Sequence, residues 1–219
     1  MASLNSPRGQ TPREQVWDLL SVPVQQANLG NPFAVDIGHQ GRLRLWRLRD
    51  EMNRRRIRDP FDILIDGRHF NDDLRIRGWM LPDGEPLTLV MADLDHFKKV
   101  NDTLGHPTGD EYLRRYLALV REVSTAFDGE AYRFGGDETL SIFPSVKPAR
   151  ALLAAERLRA SVEAEFKDSP LPNAPTSSVG VVTFSKPPQN AKVAKEAVDK
   201  RLYEAKAKGR NCVVSAAEP

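Results

Sequence analysis

The chain predicts an α/β domain, a mixed sheet flanked by helices, with a short helical extension before it. From about residue 59 onward, apolar runs of strand length alternate with segments whose apolar residues recur at helical spacing. The run "PLTLVMADLD", residues 86–95, is almost wholly apolar until its acids, as a strand buried on both faces should be. "EAYRF" and "TLSIF" flank a Gly-Gly turn and read as a hairpin.

The elements follow in order. Residues 1 to about 40 are broken by Pro7, Pro12, Pro23 and Pro32. Within them Thr11-Pro12-Arg13-Glu14 reads as N-cap to N3 of a capping box, leading into Val16, Trp17, Leu19 and Leu20. "RLRLWRLRDEMNRRRIRDP", residues 42–60, places Leu45, Leu48 and Met52 at helical spacing among arginines. It predicts a basic amphipathic helix ending before Pro60. That face suits a solvated connecting helix, or contact with nucleic acid or acidic lipid. A helix is expected near 68–79, then the strand ending in acids, then a short helix carrying "HFKKVND" and a loop at "GHPTG". Tyr112, Leu113, Tyr116, Leu117, Val120 and Val123 mark a long amphipathic helix before the hairpin. Ala151, Ala155, Leu158, Val162 and Phe166 mark another. "SSVGVVTF" is a strand, Ala194, Val198, Leu202 and Ala205 a last helix with Gly209 as its C-cap, and "NCVVSA" a closing strand. The expected division is an extension over 1–58 and a domain over 59–219.

Composition narrows the class. The chain has 219 residues, 40% hydrophobic and 28% charged, as a globular protein has. A net charge of +2 gives no strong field toward nucleic acid or membrane. The single cysteine, Cys212, excludes an internal disulfide. "MASLNSPRGQTPREQ" lacks the apolar core of a secretory signal, and "LTLVMADLD" is too short to span a bilayer. The expected location is the cytoplasm, with any membrane attachment made through a partner.

Chemistry concentrates in the carboxylates. Asp93 and Asp95 follow the first central strand, and Asp137 and Glu138 sit at the hairpin tip. If strand and hairpin are neighbours, these acids converge on one edge of the sheet and need a cation or protons. Mg²⁺ suits such a site, because it takes oxygen ligands and uses one or two carboxylates plus substrate phosphates. Taken alone, "GGDE" is equally an ordinary solvated turn.

The combination is more specific. "DLDHFKKVNDTLGHPTGDEYLR" (93–114), "YRFGGDET" (132–139) and "DKRLYEAKAKGRNCV" (199–213) resemble the GGDEF family in order and spacing. The resemblance covers about residues 59–215. It implies a fold like the palm of nucleotidyl cyclases and polymerases. It also implies a diguanylate cyclase joining two GTP into cyclic di-GMP with release of two pyrophosphates. Two subunits would meet face to face, each holding one GTP, and each 3′-hydroxyl would attack the other nucleotide's α-phosphate.

By motif position, Asp93, the carbonyl of Leu94, Asp137 and Glu138 would hold Mg²⁺ or Mn²⁺, with two ions per site. Glu138 would hold the second ion or help activate the 3′-hydroxyl. Gly135 and Gly136 would let phosphates approach the backbone. Lys206 and Arg210 would bind the triphosphate, and Phe97 and Lys98 would begin the loop cradling β- and γ-phosphates. Asn101 and Asp110 would read guanine, a carboxylate accepting from its N1–H and N2–H₂ edge. His106 would have a structural role.

Four departures from the family pattern matter. Thr139 replaces the signature's final Phe and should bury less apolar area. "DPFDILIDGRHF" (59–70) replaces a "DxLTGLxNRRxF" opening, with Asp62 standing in as a turn residue. "AFDG" (126–129) lacks the product-inhibition motif RxxD, so no feedback inhibition is expected. Residues 1–58 match no sensor domain, and they could dimerise, receive a regulatory partner or act as a linker. Two alternatives to an active cyclase stay open: a nucleotide-binding signalling module, and a cyclase making another cyclic dinucleotide.

Overall fold

The structure, a computed structural model, describes residues 56–218 apart from 83 and 189. The chain divides into Met1–Arg56 and Ile57–Pro219, and the fold below is that of the second unit. The helices expected around 11–20 and over 42–55 lie outside the described residues. The last residues of the second expected helix, 56–59, are described and are not helical: Arg58 forms an antiparallel bridge with Ile65. Asp59 explains the change of course. Its buried carboxylate accepts from the backbone N–H groups of Phe61, Ile63 and Leu64 at 3.2, 2.8 and 2.8 Å, winding the chain into a loop. Asp62 takes φ 58° at the turn of that loop.

The elements in chain order are β1 (Ile65–Asp66), a 3₁₀ turn (Gly67–His69), α1 (Phe70–Met80), β2 (Leu87–Leu94), α2 (Phe97–Leu104) and α3 (His106–Ala126). There follow β3 (Glu130–Gly135), β4 (Glu138–Pro144), α4 (Pro148–Phe166), β5 (Ser177–Phe184), α5 (Ala191–Ala207) and β6 (Val213–Glu218). The six strands form one mixed sheet in the order β1-β3-β4-β2-β5-β6. The outer pairs β1–β3 and β5–β6 are parallel and the inner pairs antiparallel. The expected "GHPTG" loop is a correction. The chain breaks only at Gly105, and α3 starts at His106 with Pro107 in its first turn, where a missing N–H costs nothing.

Both faces of the sheet are covered. Val90, Ala92 and Leu94 of β2 join a core with α2, α3 and α4, while Leu87, Leu89 and Met91 join a second core with α1 and α5. Each of these buried side chains other than Ala92 contributes about 1.5–3 kcal/mol, so a one-residue slip of β2 would exchange both sets and is strongly disfavoured. Among the described residues no helix is long and apolar enough to cross a membrane.

Gly180 sets the height of α5 above the sheet. A Cβ there would fall 2.4 Å from the Leu202 nitrogen and 2.7 Å from the Val198 carbonyl oxygen, so helix backbone lies directly on strand backbone. Gly180→Ala is therefore expected to cost about 1–3 kcal/mol. Urea denaturation checks this: the midpoint falls in the variant, and an unchanged midpoint would mean that α5 packs less closely than described.

Candidate active site

Register assembles the site. β2 and β4 pair antiparallel with Ala92 opposite Thr139. The next residues outward are Asp93 on β2 and Glu138 on β4. Leu89 and Met91 face α5, and so do Leu140 and Ile142, so strand alternation turns Asp93 and Glu138 to that same face. Asp137 occupies the two-residue turn with Gly136, which takes φ 51°. Gly135 and Gly136 are exposed, and a Cβ on either would meet nothing within 4 Å. The turn thus presents bare backbone to the solvent beside the acids.

α5 answers the acids with lysines. Lys206 Nζ lies 2.9 Å from Asp93 Oδ1. Lys195 Nζ lies 3.0 Å from Glu138 Oε1. Their spacing of eleven residues is close to three helical turns, which puts both on one side of α5. Asp137 makes no ion pair among the described residues. Burial and the charge of Asp93 push its carboxyl up to about 6. Asp93 is also raised, first by burial and then by Asp95 and Glu138, against the opposing pull of Lys206. The arrangement is short of positive charge at Asp137.

Those donors fit a divalent cation. Among the described residues no group of three or more His, Cys, Asp or Glu side chains is placed to hold an ion unaided. Two carboxylates completed by water and phosphate oxygens is the manner in which Mg²⁺ binds. Asp93, Leu94, Phe97, Lys98, Asp137, Lys206 and Arg210 all line one cleft of about 500 Å³. Phe97 opens α2, whose preceding residue His96 is left-handed at φ 64° with no side-chain cap, leaving first-turn N–H groups unclaimed by a capping side chain.

Not every expected site residue reaches that cleft. Asn101 and Asp110 lie on α2 and α3, on either side of the Gly105 break. A Cβ on Gly109 would fall 1.8 Å from Asn101 Oδ1, so Asn101 is pressed against the residue preceding Asp110. Asp110 itself is exposed. Asp95, counted among the converging acids, does line the cleft but is spent on structure. Its buried carboxylate accepts from Thr176 Oγ1 and Ser178 Oγ, both at 2.7 Å, and from the Asn211 nitrogen at 3.2 Å. Those bonds pin the loop that carries Arg210. Lys195 was not expected at all. It lies outside the motif blocks, and its only signal is its spacing from Lys206.

Thr139 faces the other side of the sheet. It is 1% exposed, and its Oγ1 donates to the Ala92 carbonyl at 3.2 Å. Having given its proton there, it accepts from the Tyr116 hydroxyl at 3.1 Å. Burial pushes that hydroxyl well above its usual range, so it stays a donor. The polar residue in the signature is therefore fully bonded, on the face opposite Asp93 and Glu138.

A family model described as the diguanylate cyclase GGDEF domain matches residues 57–212. The chain is 34% identical over 160 residues to the probable diguanylate cyclase DgcT of Escherichia coli (strain K12), which covers 72% of this chain and 35% of that protein. It is 36% identical over 141 residues to the response regulator PleD of Caulobacter vibrioides, covering 61% and 30%. The chain thus spans about a third of the length of these curated relatives. A crystal structure of the coiled coil and GGDEF domain of DgcB from Caulobacter crescentus, in complex with c-di-GMP, matches with TM-score 0.65 and 28% identity. That match covers 81% of this chain and 96% of the other. The diguanylate cyclase SiaD of Pseudomonas aeruginosa, in complex with its activator SiaC, matches with TM-score 0.63 and 27% identity over 93% and 78%.

Asp137 makes stability depend on pH. Its folded pKa of about 6 lies above its ordinary value of 3.8, so between those values the folded state binds more protons than the unfolded one. Stability contributed here is present in acid and lost as pH rises through about 6. Asp137→Asn should therefore be more stable than wild type at pH 7.5, by about 1–2 kcal/mol, and indistinguishable near pH 3.5. Mg²⁺ should raise the wild-type melting temperature at pH 7.5 and leave that of the variant unmoved. Thermal melts at the two pH values decide it, and a variant no more stable at pH 7.5 would contradict the assignment.

Proposed function

The chain belongs to the GGDEF-domain family, and on that premise we propose that it is a diguanylate cyclase, condensing two GTP into cyclic di-GMP and two pyrophosphates. The observation that carries the reading is the convergence of Asp93, Asp137, Lys206 and Arg210 on one cleft. Acids short of positive charge and flexible cations within one cleft suit a nucleoside triphosphate with its metal.

Asp93, the Leu94 carbonyl and Asp137 would hold Mg²⁺ or Mn²⁺, with Glu138 toward a second ion or toward the 3′-hydroxyl. What such an ion supplies when bound is neutralisation of the α-phosphate and a more acidic 3′-hydroxyl. Lys206, paired with Asp93 in this structure, would turn to the triphosphate, and Arg210 would join it. The N–H groups of the first turn of α2, at Phe97 and Lys98, donate to the β- and γ-phosphate oxygens. The open backbone at Gly135 and Gly136 leaves room for the phosphate chain. Asp110, with Asn101 beside it, reads the guanine edge. In each half-reaction a 3′-oxygen bonds to the α-phosphorus of the other GTP and the bond to the β-phosphate oxygen breaks. One subunit holds one nucleotide, so the ring closes only between two subunits of a homodimer.

Regulation falls to the remaining features. Residues 1–58 offer a segment for a regulatory partner, in line with SiaD being solved with an activator. The cytoplasm, where GTP is available, is the proposed location. Product does not feed back through the usual motif, since Ala126 and Gly129 stand where its arginine and aspartate would be. A Cβ on Gly129 would fall 2.5 Å from the buried Phe143 ring, so that acid could not be restored without moving the core.

The test is incubation of purified chain and Mg²⁺ with GTP, with ATP and with their mixture, products being separated by chromatography and mass. Cyclic di-GMP from GTP alone is expected. Asp93→Ala and Asp137→Ala should each lower turnover about a hundredfold or more. Asp110→Ser should loosen the preference for guanine. A mixed product would overturn the base assignment. No product from folded dimer would overturn the cyclase and leave a nucleotide-binding module.

A further inference from the structure

Lys195 lies outside the motif blocks, yet it touches Glu138 of the hairpin. Its ammonium sits 3.0 Å from Glu138 Oε1 and 3.9 Å above the centre of the Phe134 ring. Phe134 in turn packs edge-on against Phe70, with centroids 5.5 Å apart, and Phe70 is fully buried. The register shift in β3 between Arg133 and Gly135 gives Phe134 its place beside the turn. The ammonium is thus held from below by an anchored aromatic ring and from the side by a carboxylate. It belongs to α5, which Gly180 presses onto β5. From the same side of that helix Lys206 takes Asp93.

We propose that Lys195 is a positioning residue for Glu138, its ammonium standing in for one of the two divalent cations expected beside the hairpin acids. This deepens the cyclase reading and rests on it. Asp93 and Asp137 then form the metal site proper, and the nucleotide-loaded subunit takes up one divalent ion. Glu138, bound to a lysine, is aimed across the tip of the hairpin and serves the attacking hydroxyl. The half-exposed Lys195–Glu138 pair contributes little to folding, so its replacement leaves the fold intact. Removing the ammonium while keeping an apolar stem on Phe134 uncovers the charge of Glu138. A second cation then binds where the lysine stood.

The experiment counts ions rather than turnover. Chain loaded with the non-hydrolysable guanosine 5′-(α,β-methylene)triphosphate is titrated with Mn²⁺, and free ion is read by electron paramagnetic resonance. Wild type is expected to bind one Mn²⁺ per nucleotide-loaded subunit over a range in which Lys195→Met binds two. The second ion should bind at least about tenfold more tightly in the variant than in wild type. Lys195→Arg should behave as wild type, and Glu138→Gln added to Lys195→Met should abolish the second ion. Equal stoichiometry in wild type and Lys195→Met, with melting temperatures matched, overturns the role of Lys195 and leaves the cyclase reading standing. Failure of every form to bind the analogue or Mn²⁺ overturns the cyclase reading and this inference together.

Discussion

The pairing of Ala92 with Thr139 across β2 and β4 is the constraint from which the site follows. Once it is fixed, the strand end that carries Asp93 and the turn that carries Asp137 and Glu138 are neighbours. Two apolar cores hold the register from opposite faces, so it does not depend on the acids. The Thr139 hydroxyl bridging the Ala92 carbonyl and Tyr116 ties the same position to α3. A buried polar group in this place costs little because it is fully bonded. Thr139 therefore changes how the sheet is tied to its helix without entering the chemistry on the other face.

That pairing creates an electrostatic conflict. Asp93 and Asp137 lie close enough to each other and to Glu138 for these charges to raise the proton affinity of both aspartates. Lys206 and Lys195 relieve two of the three. Half-exposed ion pairs of this kind add at most about 1 kcal/mol each, so their importance lies in placement. Asp137 is left to burial and to Asp93, which push its carboxyl up to about 6. A site built this way is strained by its own like charges. This follows a general pattern in which function is located where local stability is sacrificed.

Most of the fold was legible in the sequence because helical and strand periodicities were clean on both sides of "PLTLVMADLD". The start of α3 was not, because Gly-His-Pro reads as a loop when Pro107 is not recognised as a first-turn residue. β1 was missed because two residues carry no periodicity. It exists through its pairing with β3 and through the Asp59 loop, whose carboxylate also binds Arg133 at 3.0 Å. In the site, motif position marked Asp93, Asp137, Lys206 and Arg210, and the cleft brings them together. Asp95 was indistinguishable from Asp93 by spacing, since only the fold reveals Thr176 and Ser178 waiting for it. Lys195 was invisible for the converse reason. Its partner Glu138 is fifty-seven residues away in sequence, and nothing local marks it out.

On the proposed reading, the acids of β2 and the hairpin share one cation while Lys206 turns to the triphosphate. A crystal structure of the chain with Mn²⁺ and a non-hydrolysable GTP analogue, with Mn²⁺ located by its anomalous scattering, tests it most directly. The account predicts an ion bonded to carboxylate oxygens of both Asp93 and Asp137, with Lys206 moved from Asp93 to the phosphates. A nucleotide bound elsewhere, or an ion away from these two carboxylates with the Lys206–Asp93 pair intact, would contradict it.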